Sequence, residues 1–178
     1  MVAKAYHSGD SEADNSQTPW WIIRQIQDVA NVKIKFDVCA EPRTAKAPKY
    51  FTKEDDALSR PWSILKGNSA LWMNPPFSLA SEFTTKAADE AQRGCVIIAC
   101  VKHAPDATWF QEMEKRATFI YVPDGRVNFR KPDGTAFKHG ANFPLCFPIW
   151  TPFNSGNIAE QIRFKRDKAG YELDSDYK

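Results

Sequence analysis

The 178-residue sequence has no apolar run near the roughly 20 residues that span a bilayer, and no signal peptide with an apolar central stretch. Strong net charge is also missing, because 24 basic and 22 acidic residues leave a balance of +2. That balance excludes a polycationic DNA coat, although it permits a local basic face. The length suits one domain with a single core, and we expect that domain in the cytoplasm.

Cysteine is scarce, and its spacing gives no metal-binding signature. Three of the four cysteines lie within apolar stretches, which is typical of reduced, buried thiols. Cys95 and Cys100 have no second nearby pair and no histidine partner at the spacing of a zinc site. We therefore expect free thiols and no bound metal.

The most informative segment is Asn74-Pro75-Pro76-Phe77, which follows an apolar run at 70–73. The run predicts a buried strand, and the prolines end it because neither can donate to a sheet ladder. Open α/β sheets bind ligands at the carboxyl ends of their strands. On this stiff backbone the Asn74 side-chain oxygen and the Pro75 carbonyl could accept both N–H groups of a planar amine, while Phe77 offers a ring for stacking. A rigid turn without chemistry is the competing interpretation.

Composition and periodicity divide the chain into three parts. Residues 1–16 are polar and predict a mobile segment, and residues 154–178 predict a polar tail without pattern. In between, residues 17–153 alternate strand and helix patterns, which predicts one α/β domain with a mostly parallel sheet. Residues 127–129 and 143–150 predict an antiparallel hairpin at the C-terminal edge of that sheet.

The boundaries of the central elements come from apolar spacing and from glycine and proline signals. Thr18 is the predicted N-cap of a first helix, and Pro19 is its predicted first residue. Gly94 is predicted to end a helix over 78–93. Strands are predicted at 32–38, 70–73, 95–101 and 118–122, and a further helix at 106–115.

Several further segments occur in the order found in one enzyme family. They are Gln17-Thr18-Pro19-Trp20, Phe36-Asp37-Val38-Cys39-Ala40-Glu41-Pro42, Lys49-Tyr50-Phe51-Thr52, Glu54-Asp55-Asp56-Ala57-Leu58, Trp72-Met73-Asn74-Pro75-Pro76-Phe77, Trp109-Phe110 and Gly125-Arg126-Val127-Asn128-Phe129. With its match to the (Asp/Asn)-Pro-Pro-(Tyr/Phe) motif, the sequence resembles the phage and prophage DNA N6-adenine methyltransferase family. The resemblance covers residues 17–150.

The resemblance implies a fold, a reaction and a partner. The fold would be the Rossmann-like methyltransferase fold, with S-adenosylmethionine as cofactor and double-stranded DNA as substrate. The methyl group would pass to the exocyclic amine of a flipped-out adenine, with Asn74, Pro75, Pro76 and Phe77 as the catalytic residues. We expect a monomer, in the host cytoplasm if a phage encodes it.

The resemblance also suggests where the cofactor binds. Asp37 and Glu41 are the candidates for contacts with the ribose or the methionine amino group, and Asp56 for the adenine amino group. Thr18 and Pro19 resemble the segment near the methionine carboxylate. Asp37 as a turn cap, a solvated Glu41, a plain helix start at 18–19 and an acidic helix start at 54–56 remain the alternatives.

One departure from the usual cofactor loop matters. A Gly-x-Gly sequence is absent after the first strand, where Cys39-Ala40-Glu41-Pro42 stands instead. By position, Cys39 and Ala40 join the cofactor-binding candidates.

Basic residues around a late glycine-containing loop are the candidates for DNA contacts: Arg126, Arg130, Lys131, Lys138 and His139. An ordinary solvated hairpin explains the same cluster. A second candidate for DNA contacts is the basic stretch that carries Arg43, Lys46, Lys49 and Lys53.

Three readings of the chemistry stay open at this level. The first is DNA adenine methylation. The second keeps the acceptor pair but changes the substrate to RNA, a free nucleobase amine or a glutamine side chain of a protein. The third is a non-catalytic nucleic-acid-binding or partner-binding module on the same fold.

Overall fold

A computed structural model describes residues 16–63, 69–131, 133–137, 143–173 and 176. Its strands are β1 (Ile34–Asp37), β2 (Lys49–Tyr50), β3 (Ala70–Met73), β4 (Val96–Ala99), β5 (Val101–Lys102), β6 (Phe119–Pro123), β7 (Leu145–Trp150) and β8 (Glu160–Phe164). Its helices are α1 (Trp20–Val29), α2 (Ala80–Gln92), α3 (Thr108–Glu114) and α4 (Lys168–Tyr171), and a 3-10 turn over Phe77–Leu79 precedes α2.

The strands form one mixed sheet in the order β2-β1-β3-β4-β7-β6-β8, and β5 adds a second pairing to β7. Neighbouring strands from β2 to β4 are parallel, and so are β6 and β8. Strand β7 runs antiparallel to both β4 and β6. The predicted mostly parallel α/β sheet is therefore confirmed.

The predicted antiparallel hairpin at the C-terminal edge is wrong. Strand β7 is antiparallel but lies inside the sheet, and the edge strand β8 is parallel to β6. Residues 127–129 do not pair with β7; the chain beyond them, at Arg130, bridges to Gln17 and Ala136 instead. The reason is visible in β7 itself, because all six of its residues are buried. A strand that is apolar on both faces belongs in the sheet interior.

The stretch from 154 onward contains two elements where the sequence suggested a patternless tail. Strand β8 pairs with β6 along its whole length, and helix α4 packs on α1. Strand β8 has no buried residue and α4 has only four residues. Neither therefore carries the apolar periodicity by which elements are recognised in a sequence.

Helix boundaries follow local signals, with one correction at α1. Pro19 has extended backbone angles (φ −61°, ψ 144°) and is the N-cap, so the helix begins at Trp20 and the Thr18 hydroxyl does not cap it. Helix α2 ends just before Gly94, which has φ 103° and donates its N–H to the Ala91 carbonyl. The predicted helix end at Gly94 is therefore confirmed.

Two clusters of buried side chains cover the two faces of the sheet. Phe83 of α2 and Phe110 of α3 belong to one cluster, and Trp21 of α1 belongs to the other. Successive residues of β3 pack into opposite clusters, with Leu71 in the first and Trp72 in the second. The chain therefore forms three layers, with β3 and β4 buried in the middle layer.

A buried carboxylate of α2 binds the backbone of the segment that follows β2. Glu90 is fully buried and accepts the backbone N–H groups of Trp62 and Ser63, each at 3.1 Å. Its other oxygen accepts from Lys86 at 2.7 Å and from Arg93 at 2.9 Å. No sequence pattern indicates this role, since Glu90 resembles any other polar residue on a helix.

Candidate active site

The Asn-Pro-Pro-Phe segment lies at the carboxyl edge of the sheet, as predicted. The Trp72 carbonyl accepts from the Val38 N–H and the Met73 carbonyl from the Cys100 N–H, each at 2.9 Å. Asn74 is thus the first residue beyond the ladder that joins β3 to its two neighbours. Its side chain is half-buried, and Pro75 behind it is buried. The amide of Asn74 therefore projects from a fixed point on the central strand.

Phe77 belongs to an aromatic cluster formed with Phe129 and Phe143. Its ring meets Phe143 edge-to-face at 4.9 Å between centroids and Phe129 at 6.2 Å. The ammonium of Lys102 lies over both Phe77 and Phe143, 4.4 Å from each centroid. Phe77 alone was predicted here; the other three residues come from distant parts of the chain.

Asp37 ends β1 beside the motif, in register with Trp72 of β3. It is 2% exposed, and its two carboxylate oxygens accept the backbone N–H groups of Cys39 at 3.1 Å and Lys46 at 2.9 Å. Burial raises the pKa of Asp37 to about 6, although these hydrogen bonds and the Lys46 charge oppose the rise. The carboxylate therefore fixes the loop that replaces the missing Gly-x-Gly sequence.

Lys46 closes the same loop and is buried, not part of a basic surface. Its ammonium donates to the Gln17 side-chain oxygen at 2.9 Å and lies 4.5 Å from the Trp20 ring centroid. Burial lowers the pKa of Lys46 to about 8, against the pull of Asp37 and Asp176. Among the described residues no carboxylate is within ion-pair distance of it. The sequence could not single it out, because its burial depends on contacts with residues 17–20.

Gln17 joins this loop to the late loop of the chain. Its side-chain amide donates to the Lys131 carbonyl at 2.8 Å. Its backbone exchanges two hydrogen bonds with Arg130, at 2.8 and 2.9 Å. The segment before α1, the loop after β1 and the chain after 129 therefore meet at one place.

The remaining cofactor candidates differ in exposure. Thr18 and Pro19 are buried, and Thr18 lies against the Cys100 thiol. Ala40 is buried and donates its N–H to the Phe51 carbonyl at 3.0 Å, whereas the Glu41 side chain is exposed. Cys39 is half-buried, and burial together with the Asp37 charge raises the pKa of its thiol.

Asp56 lies in the turns between β2 and Trp62, with a left-handed backbone (φ 50°). The neighbouring Asp55 accepts the Thr52 N–H at 2.9 Å. Residues 54–56 are in turns, so no helix starts there and that alternative is not supported. Asp56 itself is partly exposed.

Among the described residues, the predicted DNA-contact residues do not form a single basic surface. Arg126 is exposed, and the Lys131 ammonium lies 6.0 Å from the Phe137 ring centroid. Arg130 donates to the Gly134 carbonyl at 3.1 Å and pairs with Glu172 at 2.9 Å. Lys138 and His139 lie outside the described residues.

In the part of the chain that the structure describes, no group of three or more His, Cys, Asp or Glu side chains is placed to hold a metal ion. Over the same residues, no helix has both the length and the apolar character needed to cross a membrane.

A mainly parallel α/β sheet with this edge is compatible with a methyltransferase fold. Comparison with known proteins agrees: the model of the DNA N-6-adenine-methyltransferase (Dam) family matches residues 6–170. The chain belongs to this family, and it is a DNA adenine methyltransferase. The family resemblance read from the ordered motifs is thereby confirmed.

Two phage proteins show the extent of the similarity. The chain is 26% identical over 154 residues to the DNA N-6-adenine-methyltransferase of Haemophilus phage HP1 (strain HP1c1), covering 85% of this chain and 86% of that protein. It is 25% identical over 117 residues to the DNA N-6-adenine-methyltransferase of Escherichia phage T1, covering 66% of this chain and 48% of that protein.

Proposed function

We propose that this enzyme transfers the methyl group of S-adenosylmethionine to N6 of a flipped-out adenine in double-stranded DNA. The observation that carries the proposal is the position of Asn74-Pro75-Pro76-Phe77. The segment follows a fully buried central strand and stands beside the loop that Asp37 and Lys46 fix. Because the sulfonium donor is already activated, the protein mainly supplies position and electrostatics.

Asn74 and the Pro75 carbonyl have the central role in the proposed step. The adenine amine is a poor nucleophile because its lone pair conjugates into the ring. Hydrogen bonds from its two N–H groups to these two oxygens direct the lone pair at the methyl group. As the N–C bond forms and the S–C bond breaks, positive charge grows on nitrogen and strengthens both bonds. One proton then leaves to solvent, so no cysteine nucleophile is needed.

The residues around α1 suit the methionine carboxylate of the cofactor. Helix α1 has no side-chain cap at its N-terminus and no acidic residue in its first turn. The Lys46 ammonium lies over Trp20, the first residue of that helix. A helix N-terminus beside a buried cation favours an anion. This agrees with the assignment of Thr18 and Pro19 to the methionine end.

The other end of the cofactor is assigned to the loop after β1 and the turns beyond β2. We assign the ribose hydroxyls to Glu41, whose carboxylate is exposed at this edge. Asp37 acts through the loop that carries Cys39 and Ala40, because its oxygens accept the backbone N–H groups of Cys39 and Lys46. We assign the amino group of the cofactor adenine to Asp56, whose side chain is partly exposed.

DNA is proposed to reach this edge from the side of the late loop. Arg126 is exposed there, and Lys131, Lys138 and His139 follow it in the sequence. Cationic side chains at such a loop would contact phosphates and set the position of the duplex. Arg130 has a different role in this proposal, because its bonds to Gly134 and Glu172 hold the loop itself.

Lys46→Met is expected to weaken S-adenosylmethionine binding by roughly 10- to 150-fold, since a hydrogen bond to a charged group contributes about 1.5–3 kcal/mol. Isothermal titration measures the change, and Lys49→Met removes a nearby exposed lysine as the control. Wild-type affinity should also fall above pH 8, where a lysine with a pKa of about 8 loses its proton. Lys46→Arg stays charged in that range and should lack this fall. Equal affinity of Lys46→Met and wild type would contradict the assignment.

Phe77→Ala is expected to weaken binding of DNA that carries a mismatched adenine by roughly 5- to 150-fold, because base stacking contributes about 1–3 kcal/mol. Fluorescence anisotropy at fixed salt measures the difference. Phe153→Ala is the matched control, since that ring is 88% exposed in the loop before β8. An unchanged dissociation constant for Phe77→Ala would remove Phe77 from the stacking role.

The proposed function is tested by tritiated methyl transfer from S-adenosylmethionine to unmethylated genomic DNA, followed by nucleoside analysis. Label in N6-methyladenine supports the reaction, the cofactor and the substrate together. Cofactor binding without label in DNA would move the substrate to RNA or to protein amides. Neither label nor cofactor binding would favour the non-catalytic module.

A further inference from the structure

Lys102 is placed at the catalytic edge by a change of strand partner. Strand β4 ends at Ala99, and after Cys100 the chain continues as β5, where Lys102 pairs with Leu145 of β7. This carries Lys102 past the carboxyl end of β4, next to the end of β3. The residue is half-buried, and among the described residues no carboxylate forms an ion pair with it.

The partners of the Lys102 ammonium are aromatic. It lies 4.4 Å from the centroids of Phe77 and Phe143, whose rings are nearly perpendicular at 82°. The positive charge therefore sits in the angle between the two rings and covers a face of each. Attraction of an ammonium to such faces is a recognised stabilising contact.

Stacking of a base on the covered face of Phe77 requires this charge to leave. Phe129 and Phe143 already approach the ring, at 6.2 and 4.9 Å, so free ring surface is scarce. A cation–π contact and a stacked base are of comparable strength. The exchange becomes favourable when the displaced ammonium finds an anion, and a flipped nucleotide brings its own phosphates.

We propose that Lys102 covers the stacking face of Phe77 in the free enzyme and moves to a backbone phosphate beside the flipped adenine when DNA binds. The inference rests on the proposed function, in which Phe77 stacks on that base. Lys102 is then a positioning residue. A base stacks favourably on Phe77 only when a phosphate of the same nucleotide binds the displaced ammonium. A neutral base without a phosphate has to displace the ammonium without compensation.

The experiment compares Lys102→Met with wild type on two probes: a DNA duplex with 2-aminopurine at the target position, and adenosine, which has no phosphate. Lys102→Met should bind DNA about 10-fold more weakly at low salt. The slope of log K against log salt should become shallower by about 0.9, the value for one phosphate contact. Adenosine should bind several-fold more tightly to the same variant, because the ring face is no longer covered.

Two controls separate this role from general charge and from misfolding. Lys115→Met removes an exposed lysine at the end of α3, near the amino edge of the sheet, and should leave both probes unchanged. Lys102→Arg keeps a cation at the site and should restore the salt slope.

An unchanged salt slope in Lys102→Met, or weaker adenosine binding, would overturn the proposal. These outcomes differ from failure of the proposed function itself, in which the wild-type enzyme forms no N6-methyladenine.

Discussion

Asn74→Ala is expected to lower kcat by roughly 10²- to 10³-fold, the loss typical of removing one preorganised polar group from a reacting centre. The effect is confined to the chemical step, because Asn74 is proposed to contact only the amine. The substituted side chain is half-buried beyond the end of β3, so the fold should persist. Single-turnover methyl transfer measures the rate, and titration with S-adenosylmethionine should give a wild-type dissociation constant.

The matched control for this experiment is Asn74→Asp. Aspartate keeps an acceptor oxygen at the same place, and both residues occur in the motif that the sequence resembles. We expect it to retain far more activity than Asn74→Ala. Near-normal turnover by Asn74→Ala would show that the amine is not activated by this side chain.

Glu90→Ala is expected to lower the free energy of unfolding by about 3 kcal/mol, since removing one partner of a buried ion pair strands the others. Two backbone N–H groups, of Trp62 and Ser63, lose their acceptor together with Lys86 and Arg93. For a chain of this size the loss corresponds to a fall in Tm of about 6–12 °C. Thermal unfolding followed by circular dichroism measures it.

Glu112→Ala is the control for the stability experiment. Glu112 also pairs with a lysine on its own helix, Lys115, but both side chains are more than half exposed. An exposed pair of this kind contributes about 0–1 kcal/mol, so Tm should hardly change. Equal shifts for the two variants would contradict the role assigned to Glu90.

The pH dependence of stability adds a second readout for Glu90. Burial alone would raise the pKa of its carboxyl, but Lys86, the Trp62 N–H and Arg93 hold the pKa below its ordinary value. A carboxyl with a lowered folded-state pKa contributes stability above its unfolded-state pKa, and the contribution is lost as pH falls through the folded-state pKa. Glu90→Ala should therefore lose less stability than wild type on acidification.

The central fold was predictable because its signals are local. The apolar run before Asn74, the two prolines after it and the glycine that ends α2 each act within a few residues. The position of β7 and the existence of β8 were not predicted, because both depend on pairing with strands far away in the sequence. The one sign in the sequence was the unbroken apolar run over 145–150, which agrees with the burial of all six residues of β7.

The residues of the candidate site also fall into two groups, those that sequence patterns locate and those that depend on tertiary contacts. The motif residues and Asp37 stand at strand ends, where sequence patterns locate them. Lys46 was predicted only as part of a second basic stretch, a candidate for DNA contacts, and Lys102 was assigned no role. Their surroundings come from Gln17, Trp20 and Phe143, and no local pattern reports such contacts. Whether a lysine is solvated or buried against aromatic rings is a tertiary property.

The interior position of β7 has a consequence for how the chain must assemble. Within the described residues β7 alone joins the β2-β1-β3-β4 group to the β6-β8 group, yet it follows β6 in the chain. Until residues 145–150 are synthesised, β4 and β6 each present an open edge, and open strand edges are sites of mispairing. A chain emerging from the ribosome therefore keeps Asn74 on an unfinished sheet until most of its length has been made.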